Sequence, residues 1–240
     1  MNKASSLVEG RTELTVYSED RELTYVFPAF GPDNYRTVGK QILNEGLQVP
    51  TGDEIAPFMR ELYLGANKDK EVIKNARDFF KNRWFFWVFN RDLWTPEGFY
   101  SVLDRNANGL SERLEVEDLK QRLVGGSKYK GIEFSSNRQV RFAPIGSYTF
   151  GEMSAEELEE DGVLIAQYGV EGAKLLAEVS DSLENKPITY GVNVKDGQDS
   201  VQRVSALCEY AGRLHVDGFG FVDVDDGCAF PVSAPKADKR

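Results

Sequence analysis

The chain has 240 residues and a net charge of −10, from 29 basic and 39 acidic side chains. That surplus of carboxylates disfavours a nucleic-acid partner, because binding to a phosphate backbone rests on neutralisation by Lys and Arg. No apolar run in the sequence reaches the roughly 18 residues needed to cross a bilayer, and the first residues lack the apolar centre of a secretory signal. The expectation is a soluble protein made in the cytoplasm, with surface display left open.

The opening alternates in a strand-like way, with Leu14 and Val16 answered by Leu23, Tyr25 and Phe27 across a hairpin turn at 18–21. Thr51 and Glu54 form a capping box, and Ile55, Phe58, Met59, Leu62 and Tyr63 follow at helical spacing. A second helix is predicted over 70–82, carrying Val72, Ile73, Ala76, Phe79 and Phe80 on one side. Residues 83–89 are too apolar for a half-solvated element and predict a buried strand. Packed this densely, Trp84, Phe85, Phe86, Trp87, Phe89 and Trp94 predict core, not the lining of a ligand pocket.

A strand over 99–103, a short helix over 114–123 and paired strands at 132–134 and 140–142 come next. Ser154 and Glu157 make a second capping box before a helix at 155–158, and the acidic run Glu156, Glu157, Glu159, Glu160, Asp161 reads as its solvated face. Beyond the Asp161-Gly162 break, 163–167 is ambiguous between helix and strand, and 171–183 is helical. Strands are expected at 188–194, 201–210 and from 214 onward, before a polar, loose tail at 233–240. Helices and strands in mixed order, ending in antiparallel strands, make an α+β layout.

Most chemical motifs yield to simpler readings. Asp104 to Glu115 satisfies the D-x-[DN]-x-[DN]-G-x5-E calcium spacing, but Ser111 stands where an aliphatic residue is usual and the preceding segment is strand-like. Turn chemistry alone calls for the same residues, and no metal is assigned there or to the acidic turn 223–227. His215 is the sole histidine, so any triad or zinc cluster would have to be built around it; zinc held by His215, Cys208 and Cys228 lacks a C-x-x-C pair. No nucleophile elbow occurs, and Gly125-Gly126 lacks phosphate-loop spacing. No cofactor is expected. Cys208 and Cys228 are expected to be buried free thiols, with a bridge as the second choice.

The segment 203–232 is the informative part. Ala206, Leu207, Leu214, Val216, Gly218, Val222, Val224, Gly227, Ala229 and Phe230 are small or apolar. Among them stand Tyr210, His215, Asp217, Phe219, Phe221, Asp223, Asp225 and Asp226. Strand side chains alternate between faces, so one set can hold the backbone while the other meets solvent. Exposed aromatic and acidic residues on a rigid support suggest a binding surface, with Gly212 and Gly220 letting the backbone bend or approach a ligand.

This ending resembles the C-terminal variable region of proteins diversified by retroelements, in particular the archaeal variable proteins. The anchors are Arg203-Val204-Ser205-Ala206-Leu207, then Arg213-Leu214-His215-Val216-Asp217-Gly218, then Gly227-Cys228-Ala229-Phe230. In that family adenine-directed mutagenesis rewrites the segment, mostly at AAC codons; His, Asp, Phe, Tyr and Gly are reachable from AAC by changing adenines, whereas Glu209 is not. The resemblance implies a C-type lectin-like fold of twisted antiparallel strands with flanking helices. It further implies a non-enzymatic protein that binds a macromolecular ligand, itself a protein, through the changeable positions, without dependence on calcium. On this reading the chain is one globular unit, with a lectin-like core over 84–235, an N-terminal elaboration over 1–83 and the variable region at 203–232. Two alternatives remain: an enzyme on a formylglycine-generating-enzyme-like scaffold, which needs exposed, adjacent cysteines or a metal, and a structural subunit of an assembly.

Overall fold

The computed structural model describes residues 6–8, 13–18, 21–81, 85–220 and 224–233. Three strands, β1 (Ser6–Val8), β2 (Glu13–Ser18) and β3 (Arg21–Val26), form a small antiparallel sheet. The hairpin expected at 18–21 is present, with Ser18 paired to Arg21. β4 (Phe30–Asp33) and three helices follow: α1 (Tyr35–Asn44), α2 (Gly52–Leu64) and α3 (Glu71–Lys81). The Thr51–Glu54 capping box opens α2.

Among the described residues the main sheet has eleven strands. Its centre is the long strand β5 (Phe85–Thr95), flanked by β6 (Gly98–Leu103) on one side and β12 (Val201–Tyr210) on the other. Outward from β6 lie β9 (Val140–Pro144), β8 (Ile132–Phe134) and β7 (Ser127–Tyr129). Outward from β12 lie β13 (Arg213–Gly220), β11 (Ile188–Tyr190) and β10 (Gly151–Glu152). β14 (Gly227–Ala229) pairs with β4 and runs parallel to the start of β5. The remaining helices are α4 (Val116–Leu123), α5 (Ala155–Glu160) and α6 (Gly162–Asp181).

Alternation along the strands sorts side chains between two faces. On one, Phe86, Val88, Trp94, Leu207, Leu214 and Val216 join a core built with α2 and α6. That core also takes in Leu14, Tyr25 and Phe58, so residues from 1–83 and from 84–235 share it. On the other face, α1 covers Trp87, Phe89, Val204 and Ala206, and α4 covers Leu93, Tyr100 and Val140. Phe86, Trp87, Phe89 and Trp94 are all buried, as the sequence predicts, while Trp84 lies outside the described residues.

Five readings need correction. Helix α1 was not anticipated, although Asn34 caps it and Tyr35, Val38 and Ile42 are its buried residues. Strand β5 continues past 89 because Asn90 and Asp92, polar yet fully buried, find partners inside the fold. The ambiguous residues 163–167 belong to α6, which runs on to Asp181 through a non-helical Gly169 (φ 75°). Asp161 is no solvated acid: it is buried and caps α6, accepting from the Val163 and Leu164 amides and from Thr149 N–H. Burial pushes its carboxyl up to about 6. Of the expected strand 188–194, only Ile188–Tyr190 is strand.

Past β14 the chain is stitched to two other segments. Pro231 C=O accepts from Val26 N–H at 3.0 Å, and Ser233 N–H donates to Thr24 C=O at 2.8 Å. Val232 exchanges two backbone bonds with Gln48, at 2.8 and 2.9 Å.

Candidate ligand-binding face

The hairpin β12–β13 turns through Ala211 and Gly212, both with positive φ (55° and 68°), between the paired residues Tyr210 and Arg213. A two-residue turn with both centres left-handed matches the twist of the flanking strands. Gly212 thus serves the turn. The register then sets Cys208 opposite His215 and Ala206 opposite Asp217, on one face of the sheet.

Along β13 burial alternates. Leu214 and Val216 are fully buried, and Gly218 is buried against Trp94, whose indole N–H donates to the Gly218 carbonyl at 2.8 Å. Between them His215 and Asp217 are partly exposed, and Tyr210 is 43% exposed. Gly220 is buried; a Cβ there would come within 2.7 Å of the Val204 carbonyl oxygen. Beyond it, Val224 and Asp226 are half-buried and Asp225 is exposed. The side chain of Phe219, and Phe221, Val222 and Asp223 altogether, lie outside the described residues.

A residue that sequence reasoning missed completes the face. Tyr190 on β11 is level with Asp217 of β13, and its ring is 40% exposed. The His215 ring lies between two tyrosines, with centroids 5.7 Å from Tyr190 and 6.0 Å from Tyr210. Burial and the Arg213 charge hold His215 below its ordinary pKa, against an opposing hydrogen bond to the Tyr210 backbone. Both effects favour the neutral imidazole. Arg213 itself forms an ion pair with Glu152. Two buried polar atoms on this side, His215 Nε2 and Asp226 Oδ1, have no hydrogen-bond partner.

Beneath the face, Asp92 anchors a buried polar cluster. It accepts from Ser101 Oγ (3.1 Å), Ser205 Oγ (2.6 Å) and Gln167 Nε2 (2.9 Å). Burial pushes its carboxyl up to about 7, against the pull of these three donors. The cluster joins β5, β6, β12 and α6 behind the β12–β13 hairpin.

Both cysteines are free and buried. Cys228 is level with Phe86, whose partner in β12 is Leu207, whereas Cys208 is the next residue of β12. The two thiols therefore point to opposite faces of the sheet. Burial raises each to about 12. The adjacent, exposed pair required by the formylglycine-type alternative is not formed.

In the calcium-like loop, Asp104 is buried and accepts from Asn108 N–H (3.1 Å), Gly109 N–H (2.7 Å) and Tyr35 OH (3.1 Å). Glu115, the twelfth position, instead precedes α4 and pairs with Arg113 at 3.3 Å. The motif's residues are thus used for turn and packing chemistry. Among the described residues no group of three or more His, Cys, Asp or Glu gathers as a metal site would require. No helix among them is long and apolar enough to cross a membrane.

No family model matches the chain, and no curated protein matches it. Among solved structures it is similar to one described as "Accommodation of massive sequence variation in Nanoarchaeota by the C-type lectin fold". The identity is 11% and the TM-score 0.51, over 87% of this chain and 97% of the other. With its α+β order, its mainly antiparallel sheet and its flanking helices, this chain has the C-type lectin fold.

Proposed function

We propose that this is a non-enzymatic binding protein of the retroelement-diversified, archaeal variable type. Its C-terminal segment, 203–232, displays changeable side chains to a protein ligand. The observation that carries the reading is the alternation along β13: Leu214, Val216 and Gly218 are buried while His215 and Asp217 reach the surface. A strand held by one set of side chains tolerates replacement of the other set. The displayed set includes rigid aromatics and carboxylates, which give area and hydrogen-bond acceptors at low conformational cost.

Tyr210, Gly212, His215, Asp217, Phe219, Gly220, Phe221, Asp223, Asp225 and Asp226 are the proposed ligand-binding positions. Within this set Gly212 and Gly220 act by shaping the hairpin backbone. The buried thiols, each raised to about 12, favour binding over cysteine-based catalysis.

The test is a selection of peptide or protein binders from a displayed library against the native chain, followed by Tyr210→Ala, Phe219→Ala and Phe221→Ala. The reading expects binding to fall while thermal stability stays close to that of the parent. Unfolding of the two Phe variants would identify those rings as core and remove the proposal. At the DNA level, it expects a near-copy of the segment encoding 203–232, differing mainly where one copy has adenine, beside a reverse transcriptase gene.

A further inference from the structure

We infer that Tyr190, Tyr210 and His215 form a subsite for one basic side chain, lysine or arginine, of the protein ligand, with Tyr190 as its constant wall. The inference rests on the reading of this face as a binding surface. It adds a residue outside the variable segment and the chemistry of what is bound.

Two observations converge. The first is geometric: two exposed tyrosine rings, 40% and 43% accessible, flank the imidazole at 5.7 and 6.0 Å. They rise from three neighbouring strands, β11, β12 and β13, whose pairing fixes their spacing. Exposed tyrosine rings offer faces with negative potential to a cation, and such contacts are worth about 0.5–2 kcal/mol.

The second is electrostatic. The charged side chains that act on Tyr190 are Asp217, Glu152 and Arg213, two acids and one base. Arg213 is held by Glu152 in an ion pair. Around the Tyr190 ring the two acids outnumber the one base, whereas at His215 the Arg213 charge opposes a cation, so the ammonium or guanidinium belongs over the Tyr190 face and not at the imidazole. The net charge of −10 favours approach of a basic partner over longer range as well.

Tyr190 stands on β11, before the segment 203–232. Rewriting that segment would therefore change Tyr210 and His215 but leave one aromatic wall in place. Variants carrying an aromatic residue at either position would keep the preference for a basic side chain.

The experiment uses the full chain as bait for a phage-displayed library of random peptides. Bound clones are screened against Tyr190→Ala, Tyr190→Phe and the double variant Tyr210→Ala/His215→Ala. The expected result is that clones sensitive to the double variant share a Lys or Arg. Replacing that residue by norleucine, or Tyr190 by Ala, should weaken binding about tenfold, with Tyr190→Phe close to the parent. Face-dependent clones without a basic residue, or indifferent to Tyr190→Ala, would overturn the subsite and leave the binding face intact. Clones that all ignore the double variant would overturn both.

Discussion

Trp94 and Gly218 are fitted to one another: the indole N–H donates to the Gly218 carbonyl at 2.8 Å, and a Cβ on Gly218 would lie 2.9 Å from the same ring. This contact fixes the height of β13 above the core. Gly218→Ala is expected to cost about 1–3 kcal/mol, the usual range for overpacking a filled interior. Urea denaturation measures it, and a variant as stable as the parent would show that the indole can move aside.

The two sides of β13 should respond differently to truncation. Leu214→Ala removes a fully buried side chain from the main core and should cost about 2–5 kcal/mol. Tyr210→Ala, at 43% exposure, should stay within about 1 kcal/mol of the parent. Equal losses at both positions would remove the distinction between support and display.

Asp92 gives stability a definite pH trend. Its carboxyl holds a proton to about 7 in the fold, against the ordinary 3.8. Between those values the folded chain binds more protons than the unfolded one, so this group's contribution falls as pH rises and the loss is complete above about 7. Asp161, raised to about 6, acts in the same direction over a narrower window. Asp92→Asn should flatten much of the decline, which is on the order of a few kcal/mol. Denaturation curves at several pH values for parent and variant provide the comparison.

The thiols should be inert. With each raised to about 12 by burial, Cys208 and Cys228 are protonated at neutral pH. A colorimetric disulfide reagent should label neither in native protein and both after denaturation, since the thiolate is the reactive form. Rapid labelling of the native chain would reopen cysteine chemistry.

Asp104 should matter for folding and not for calcium. Asp104→Ala strands two backbone amides and the Tyr35 hydroxyl, a loss of about 2–3 kcal/mol. Added calcium should leave the melting temperature of the parent unchanged; a rise of several degrees would show that the loop takes the ion.

Much of this architecture could be read locally. The capping boxes at Thr51 and Ser154 announce their helices because every participant lies within four residues. The bounds of β12 follow from a segment rich in small and apolar residues that ends at the Ala211-Gly212 turn. What escaped depends on distant partners. Asp92 looks like a strand breaker until Ser101, Ser205 and Gln167 surround it. Helix α6 looks interrupted at Gly169, where the kink makes room beside Asp53: a Cβ would meet the carboxylate oxygen at 2.9 Å. Tyr190 was invisible as a site residue for the same reason. A tyrosine in a three-residue strand carries no pattern, and only the parallel pairing with β13 brings it beside His215.

The backbone bonds of Pro231, Val232 and Ser233 to the segments around 24–26 and 48 have a last consequence. They pin the end of the segment 203–232, as the pairing of β12 with β5 and β13 pins its start. Between two such fixed posts residues can be exchanged one for one, whereas a change of length within β13 would shift its partners out of step. If the proposed reading holds, diversity is a matter of spelling, at constant length.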